Sequence, residues 1–189
     1  MERLKIALMA GGDSPEREIA LQSAAQIRAA LDPQKYDIRV IDLHHRDWHY
    51  TAPDGRQWQV DKNDFSLTVE GERTEFDYAL IIIHGTPGED GKLQGYLDMM
   101  GIPYSSCSMT SSGVTFDKIT TKRTLAGRGI HLARALYLRR GDRIDSARRS
   151  EGRNATPPGN LRGESRATSG GATKASSKRA SRGGRWVAA

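Results

Sequence analysis

The residues of this chain best able to do chemistry gather in His84-Gly85-Thr86-Pro87-Gly88-Glu89-Asp90-Gly91. A histidine titrates near neutral pH, so His84 can serve as a proton carrier or a charge stabiliser. As a strand-end histidine it can equally do no more than satisfy loop carbonyls. Gly85, Pro87, Gly88 and Gly91 keep the loop tight and let backbone amides approach a ligand, while Glu89 and Asp90 put carboxylates on the same rim. These two carboxylates read as loop-shaping acceptors of backbone N–H bonds. Three further residues stand out. Glu16 lies at a helix start, where the helix dipole stabilises a carboxylate by about 0.3–1 kcal/mol. Lys118 lies at another helix start, either solvated or available as a mobile point charge for phosphate oxygens. Cys107 is the single cysteine, and no activating partner for it is visible in the sequence.

The elements that must position these groups follow from apolar patterning. Leu80-Ile81-Ile82-Ile83 is a short continuous run suited to a parallel strand covered on both faces, and His84 comes where it ends. From Lys92 onward Leu93, Tyr96, Leu97 and Met100 recur at helical spacing, and Gly101 closes the helix. Earlier in the chain, Leu4 to Met9 is a first strand that runs into Gly11-Gly12-Asp13-Ser14-Pro15-Glu16. Asp13 or Ser14 can cap the helix that follows, and Ile19, Ala20, Ala24, Ile27 and Leu31 form its sheet-facing side. Tyr36 to Leu43 completes a right-handed βαβ unit. Asp42 near its end hints at dinucleotide binding only weakly, because Gly11-Gly12-Asp13-Ser14-Pro15-Glu16 lacks the G-x-G-x-x-G spacing.

Residues 48 to 76 change pattern. Short strands at Trp48–Thr51, Gln57–Val60 and Phe65–Val69 separate the turn signals Pro53-Asp54-Gly55 and Glu70-Gly71-Glu72, giving an antiparallel excursion of structural purpose. Ile102 to Ser105 reads as another short strand, a helix starts near Asp117, and Ile130 to Leu138 begins a further strand. The predicted fold class is therefore α/β, an open, mostly parallel, Rossmann-like sheet with helices on both faces and an inserted antiparallel hairpin. In such sheets ligands bind at the carboxyl ends of the strands, which is where His84 and Glu16 both fall.

Composition narrows the function classes. One cysteine excludes an intrachain disulfide and a thiolate metal cluster, and no stretch is long and apolar enough to span a bilayer. Met1-Glu2-Arg3-Leu4-Lys5 runs straight into a strand without a signal-peptide core, so a cytoplasmic location is expected. The net charge of +6 is misleading as a whole-chain figure: residues 146 to 189 hold ten Lys+Arg and two Asp+Glu, leaving 19 basic and 21 acidic residues in the first 145. Any attraction to nucleic acid belongs to that tail, with Trp186 available for base stacking, and not to the front of the chain. Its larger apolar side chains are Leu161, Trp186 and Val187 alone, too few to offset about 1–2 kcal/mol of backbone entropy per residue, so disorder is expected there.

Gly11-Gly12-Asp13-Ser14-Pro15-Glu16-Arg17-Glu18, His84-Gly85 with Gly88-Glu89-Asp90-Gly91 and Leu93-Gln94-Gly95, Gly101-Ile102-Pro103-Tyr104, and Asp117-Lys118 together resemble the D-alanine–D-alanine ligases of the ATP-grasp superfamily. The resemblance covers roughly residues 3 to 142. It implies that Glu16 engages the ammonium of a first D-alanine, that His84 lies over the substrate carboxyl, and that Lys118 reaches ATP phosphate. It also implies a reaction in which ATP phosphorylates one D-alanine to an acyl phosphate that a second D-alanine attacks, with magnesium bridging the phosphates and with D-alanine and a second copy of the chain as partners. Residues 1–113 correspond to the substrate domain and 114–145 to the start of the ATP-grasp region.

The resemblance stops where the apolar periodicity stops. The family's later lysine-bearing strand, phosphate loop, adenine pocket and acidic cluster have no counterpart in residues 146–189, which contain no Asp and only Glu151 and Glu164 as acids. This Arg/Ala/Gly/Ser/Pro-rich run looks like a GC-rich gene read in a shifted frame. The expectation is a chain without ligase activity of its own.

Overall fold

In strand β1 (Leu4–Gly11) successive side chains point to opposite faces, and both faces are buried: Ala7 and Met9 join one apolar cluster while Leu8 and Ala10 join another. This central strand appears in a computed structural model of the chain that describes residues 2–135. The expectations for residues 136–189, including the end of the Ile130–Leu138 strand and the disordered basic tail, lie outside the described residues. The chain divides after Thr121, and the described residues fall into a first unit, 2–121, and a second, 122–135.

In the first unit, β1 pairs in parallel with β2 (Tyr36–His44) on one side and with β7 (Tyr78–Ile81) on the other. Helix α1 (Arg17–Ala30) connects β1 to β2 and covers one face, where Ala24 packs with Leu8 and Ala10. Helix α2 (Lys92–Met100) covers the opposite face and drives Leu93 and Leu97 into a cluster with Met9, Ile41, Leu43 and Ile83. Each of those leucines contributes about 1.5–3 kcal/mol by leaving water. Gly101 ends α2 in the left-handed conformation (φ 70°), as a closing glycine should.

Between β2 and β7 the chain makes four more strands, β3 (Asp47–Thr51), β4 (Gln57–Asp61), β5 (Ser66–Val69) and β6 (Glu72–Glu75). They do not form a separate hairpin. They extend the same sheet from β2 outward, so the strand order is β6-β5-β4-β3-β2-β1-β7. The expectation of a mostly parallel sheet is corrected accordingly: β1 makes the two parallel pairings with β2 and β7, and the other four are antiparallel. Short turns leave no other choice, since a parallel crossover needs a dozen or more residues. At Glu70-Gly71 both φ angles are positive, the signature of a two-residue type I′ turn.

Several local expectations also change. Ile102–Ser105 is not a full strand but one parallel bridge, Ala79 with Tyr104, held by hydrogen bonds from Ala79 N to Pro103 O and from Ser105 N to Ala79 O. Helix α3 (Met109–Phe116) was not foreseen and starts at Ser108, whose hydroxyl accepts from Ser111 N. Helix α4 (Lys118–Leu125) begins as expected after Asp117, and Thr120 N donates to the Asp117 carboxylate. Ile130 to Ala135 carry no strand, and within that second unit the Lys122 amine donates to Ala133 O. Ile19 is 55 % exposed, so the buried face of α1 is narrower than its apolar pattern. No helix among the described residues is long and apolar enough to cross a membrane.

Candidate functional site

Two loops leave the carboxyl ends of the neighbouring strands β1 and β7 and are locked to each other by backbone contacts. Asp13 N donates to Thr86 O at 3.0 Å and so ties the two loops together, while Gly12 N donates to Leu43 O at 2.7 Å and holds the first loop to the end of β2. The approach is possible because glycines stand where side chains would collide. A Cβ on Gly12 would fall 2.6 Å from Ile83 Cγ2, and one on Gly85 would fall 2.9 Å from the Ser14 Cβ. Both glycines also have positive φ, 101° and 75°, so an L side chain would be strained there as well as crowded.

This junction brings Glu16 and His84 together. Glu16 Oε2 lies 3.9 Å from His84 Nδ1, with the side chains 62 % and 41 % exposed. That spacing is longer than a hydrogen bond, so neither group consumes the other's bonding capacity and both remain open to a small molecule lying above them. A carboxylate beside an imidazole on such a rim can take an ammonium group on one side and a carboxylate on the other.

The β7 loop is built to hold its shape. Gly85 N donates to Glu89 Oε2 and Glu89 N donates back to Gly85 O, each at 2.8 Å. Lys92 N donates to Asp90 Oδ1 at 3.2 Å, and the Asp90 carboxylate further accepts from Thr86 Oγ1 and from the Lys92 amine. Glu89 and Asp90 thus accept backbone N–H bonds as their positions predict. Burial opposes ionisation of Asp90, but the bonds from Lys92 and Thr86 outweigh it and hold its pKa below the usual carboxylate value. Beneath the loop, wholly buried Gln94 donates to Gly88 O at 2.5 Å and to Ser106 Oγ at 3.0 Å.

Other sequence-predicted groups fall elsewhere. Lys118 is exposed at the first position of α4 and forms no ion pair among the described residues. Cys107 is exposed and lines a shallow recess of about 350 Å³ together with Gly88, Glu89, Ser112 and Phe116. Neither Asp13 nor Ser14 is the N-cap of α1: Glu16 holds that position without a side-chain cap bond. Asp42, the weak dinucleotide hint, is engaged by Arg17 Nη2 through both carboxylate oxygens at 2.7 and 2.6 Å. Arg17 was missed from the sequence, although its place next to Glu16 in the glycine-turn motif was the available signal. This ion pair, made by the single nitrogen Nη2 to both oxygens, anchors the first turn of α1 to the end of β2, which fixes the residue just before it.

An α/β domain that presents a carboxylate and an imidazole at the carboxyl edge of its parallel strands belongs to the class that cradles small ligands at that edge. The comparisons with known proteins narrow this class. Residues 5–107 match the family described as "D-ala D-ala ligase N-terminus", and the chain belongs to that family. The D-alanine--D-alanine ligase of Phocaeicola vulgatus is 45 % identical over 139 residues, which is 74 % of this chain and 43 % of that enzyme. Among solved structures, the D-alanine-D-alanine ligase of Aeromonas hydrophila superposes with a TM-score of 0.64 at 30 % identity, covering 79 % of this chain and 55 % of the other. The Bacillus anthracis D-alanine–D-alanine ligase complexed with ATP superposes with a TM-score of 0.59 at 29 % identity, covering 79 % of this chain and 43 % of that one. The chain therefore spans less than half the length of the curated relative it matches.

Proposed function

We propose that residues 1–113 form the substrate domain of a cytoplasmic D-alanine–D-alanine ligase, receiving the first D-alanine of an ATP-dependent dipeptide synthesis for peptidoglycan. The observation that carries this reading is the approach of Glu16 and His84 to 3.9 Å inside the segment matched by the family, residues 5–107. Glu16 takes the ammonium group of the amino acid. His84 lies over its carboxylate and offsets negative charge there. The Arg17–Asp42 ion pair and the reciprocal Gly85–Glu89 bonds hold the two side chains on their loops, so the amino acid meets a prearranged pair.

The nucleotide half is thinner. Lys118 is the residue we assign to ATP phosphate, in a stretch, 114–145, that would open the ATP-grasp region. Among the described residues no group of three or more His, Cys, Asp or Glu side chains could hold a metal ion, so these residues do not by themselves make a magnesium site. We assign amino-acid binding to residues 1–113 and propose that the chain alone does not ligate.

Titration of the purified chain with D-alanine, followed by calorimetry or amide shifts, tests the reading. D-alanine is expected to bind, and Glu16→Gln is expected to weaken it by about 1.5–3 kcal/mol, roughly ten- to a hundredfold in Kd. Unchanged affinity in Glu16→Gln and His84→Asn would refute it. ATP-dependent phosphate release stimulated by D-alanine would refute the absence of ligation.

A further inference from the structure

The Ser14 hydroxyl bonds to the backbone of both members of the site at once. It donates to the backbone carbonyl of His84 at 2.8 Å across a sequence separation of 70 residues, and it accepts from the backbone N–H of Glu16 at 3.2 Å. A hydroxyl is the side-chain group of this size that can donate and accept together; a carboxylate at this position would set acceptor against acceptor at His84. Room for it is made by Gly85, where any Cβ would lie 2.9 Å from the Ser14 Cβ. The helix itself does not require this bond, since Glu16 and not Ser14 is the N-cap.

We infer that Ser14 is a positioning residue of this site, a hydroxyl clamp that ties the backbone of Glu16 to the backbone of His84 and so sets the spacing of their side chains. As a positioning role for D-alanine this rests on the function proposed above; as a coupling between two side chains it does not.

The experiment therefore has two arms. In the first, the ring Cε1–H resonance of His84 is recorded by NMR in the full chain and in Glu16→Gln, each with Ser14 and again with Ser14→Ala. With Ser14 present, Glu16→Gln is expected to move the resonance; in the Ser14→Ala background the same change should leave it in place. Ser108→Ala, which removes the α3 cap bond elsewhere in the same unit, serves as the control for ordinary loss of stability and should keep the coupling. Equal movement with and without Ser14 would overturn the inference. Should Ser14→Ala fail to fold, hydrogen exchange of the Glu16 amide in the unmutated chain decides: protection supports the clamp, and exchange at the rate of an open amide overturns it.

In the second arm D-alanine is titrated into the same proteins, and Ser14→Ala is expected to raise its Kd about tenfold, equivalent to about 1.4 kcal/mol. If the unmutated chain binds no D-alanine while the His84 coupling depends on Ser14, the substrate reading falls and the clamp stands. If D-alanine binds through Glu16 and His84 with no dependence on Ser14, the clamp falls and the substrate reading stands.

Discussion

Gly11 illustrates how tightly single residues are constrained around the site. Its φ is +83°, and a Cβ would lie 2.4 Å from Asp42 Oδ1 and 2.5 Å from Leu43 O. Gly11→Ala is therefore expected to cost about 1–3 kcal/mol in urea unfolding and to disturb the Arg17–Asp42 ion pair. Asp90 carries a second residue-scale prediction. Its folded pKa lies below the unfolded value because Lys92 and Thr86 bonds outweigh burial. The stability it contributes is fully present above the unfolded carboxylate pKa and is lost as pH falls through the folded one. Melting curves taken on acidification should fall less steeply for Asp90→Asn than for the unmutated chain. At this scale the sequence was legible where a residue's type announces its chemistry, as with Glu16 and His84. It was silent where a common residue gains its role from a distant partner: Arg17 finds Asp42 25 positions away, and Ser14 finds His84.

Elements were legible in proportion to their apolar signal. Helix α2 and strand β1 follow directly from Leu93, Leu97 and the continuous apolar run Ala7, Leu8, Met9 and Ala10, which the core confirms. Strand β6 has no apolar residue in Glu-Arg-Thr-Glu, so only its pairing with β5 reveals it. Helix α3 is made of Met-Thr-Ser-Ser-Gly-Val-Thr-Phe, mostly poor helix formers, and owes its start to the Ser108 cap. The sheet's mixed character was hidden because each short strand fixes its local turn but not which side of β2 the whole excursion joins. Packing of α2 can be tested in two ways. Leu97→Ala should cost about 2–5 kcal/mol in chemical denaturation, since the side chain is fully buried. Tyr96, whose hydroxyl donates to Lys62 O at 3.0 Å, has its pKa pushed up to about 12 by burial and by the charges of Asp64 and Asp61. A raised folded pKa means its contribution is intact below pH 10 and lost as pH rises toward about 12. Tyr96→Phe should flatten that part of the alkaline melting profile.

For the molecule as a whole, the decisive property is an unequal division of charge. The first 145 residues carry 19 basic and 21 acidic side chains, the last 44 ten and two. At pH 8 and low salt a cation exchanger should retain the full chain and pass residues 1–145, with retention falling as salt rises. Retention of both would show that the front of the chain carries a positive patch of its own. The fold also leaves the molecule with a natural reporter. Because the only thiol in the sequence, Cys107, is exposed and shares a recess with Gly88 and Glu89, a maleimide fluorophore lands at a single address beside the loop that carries His84. Emission from that address would register an arriving ligand without any engineered mutation.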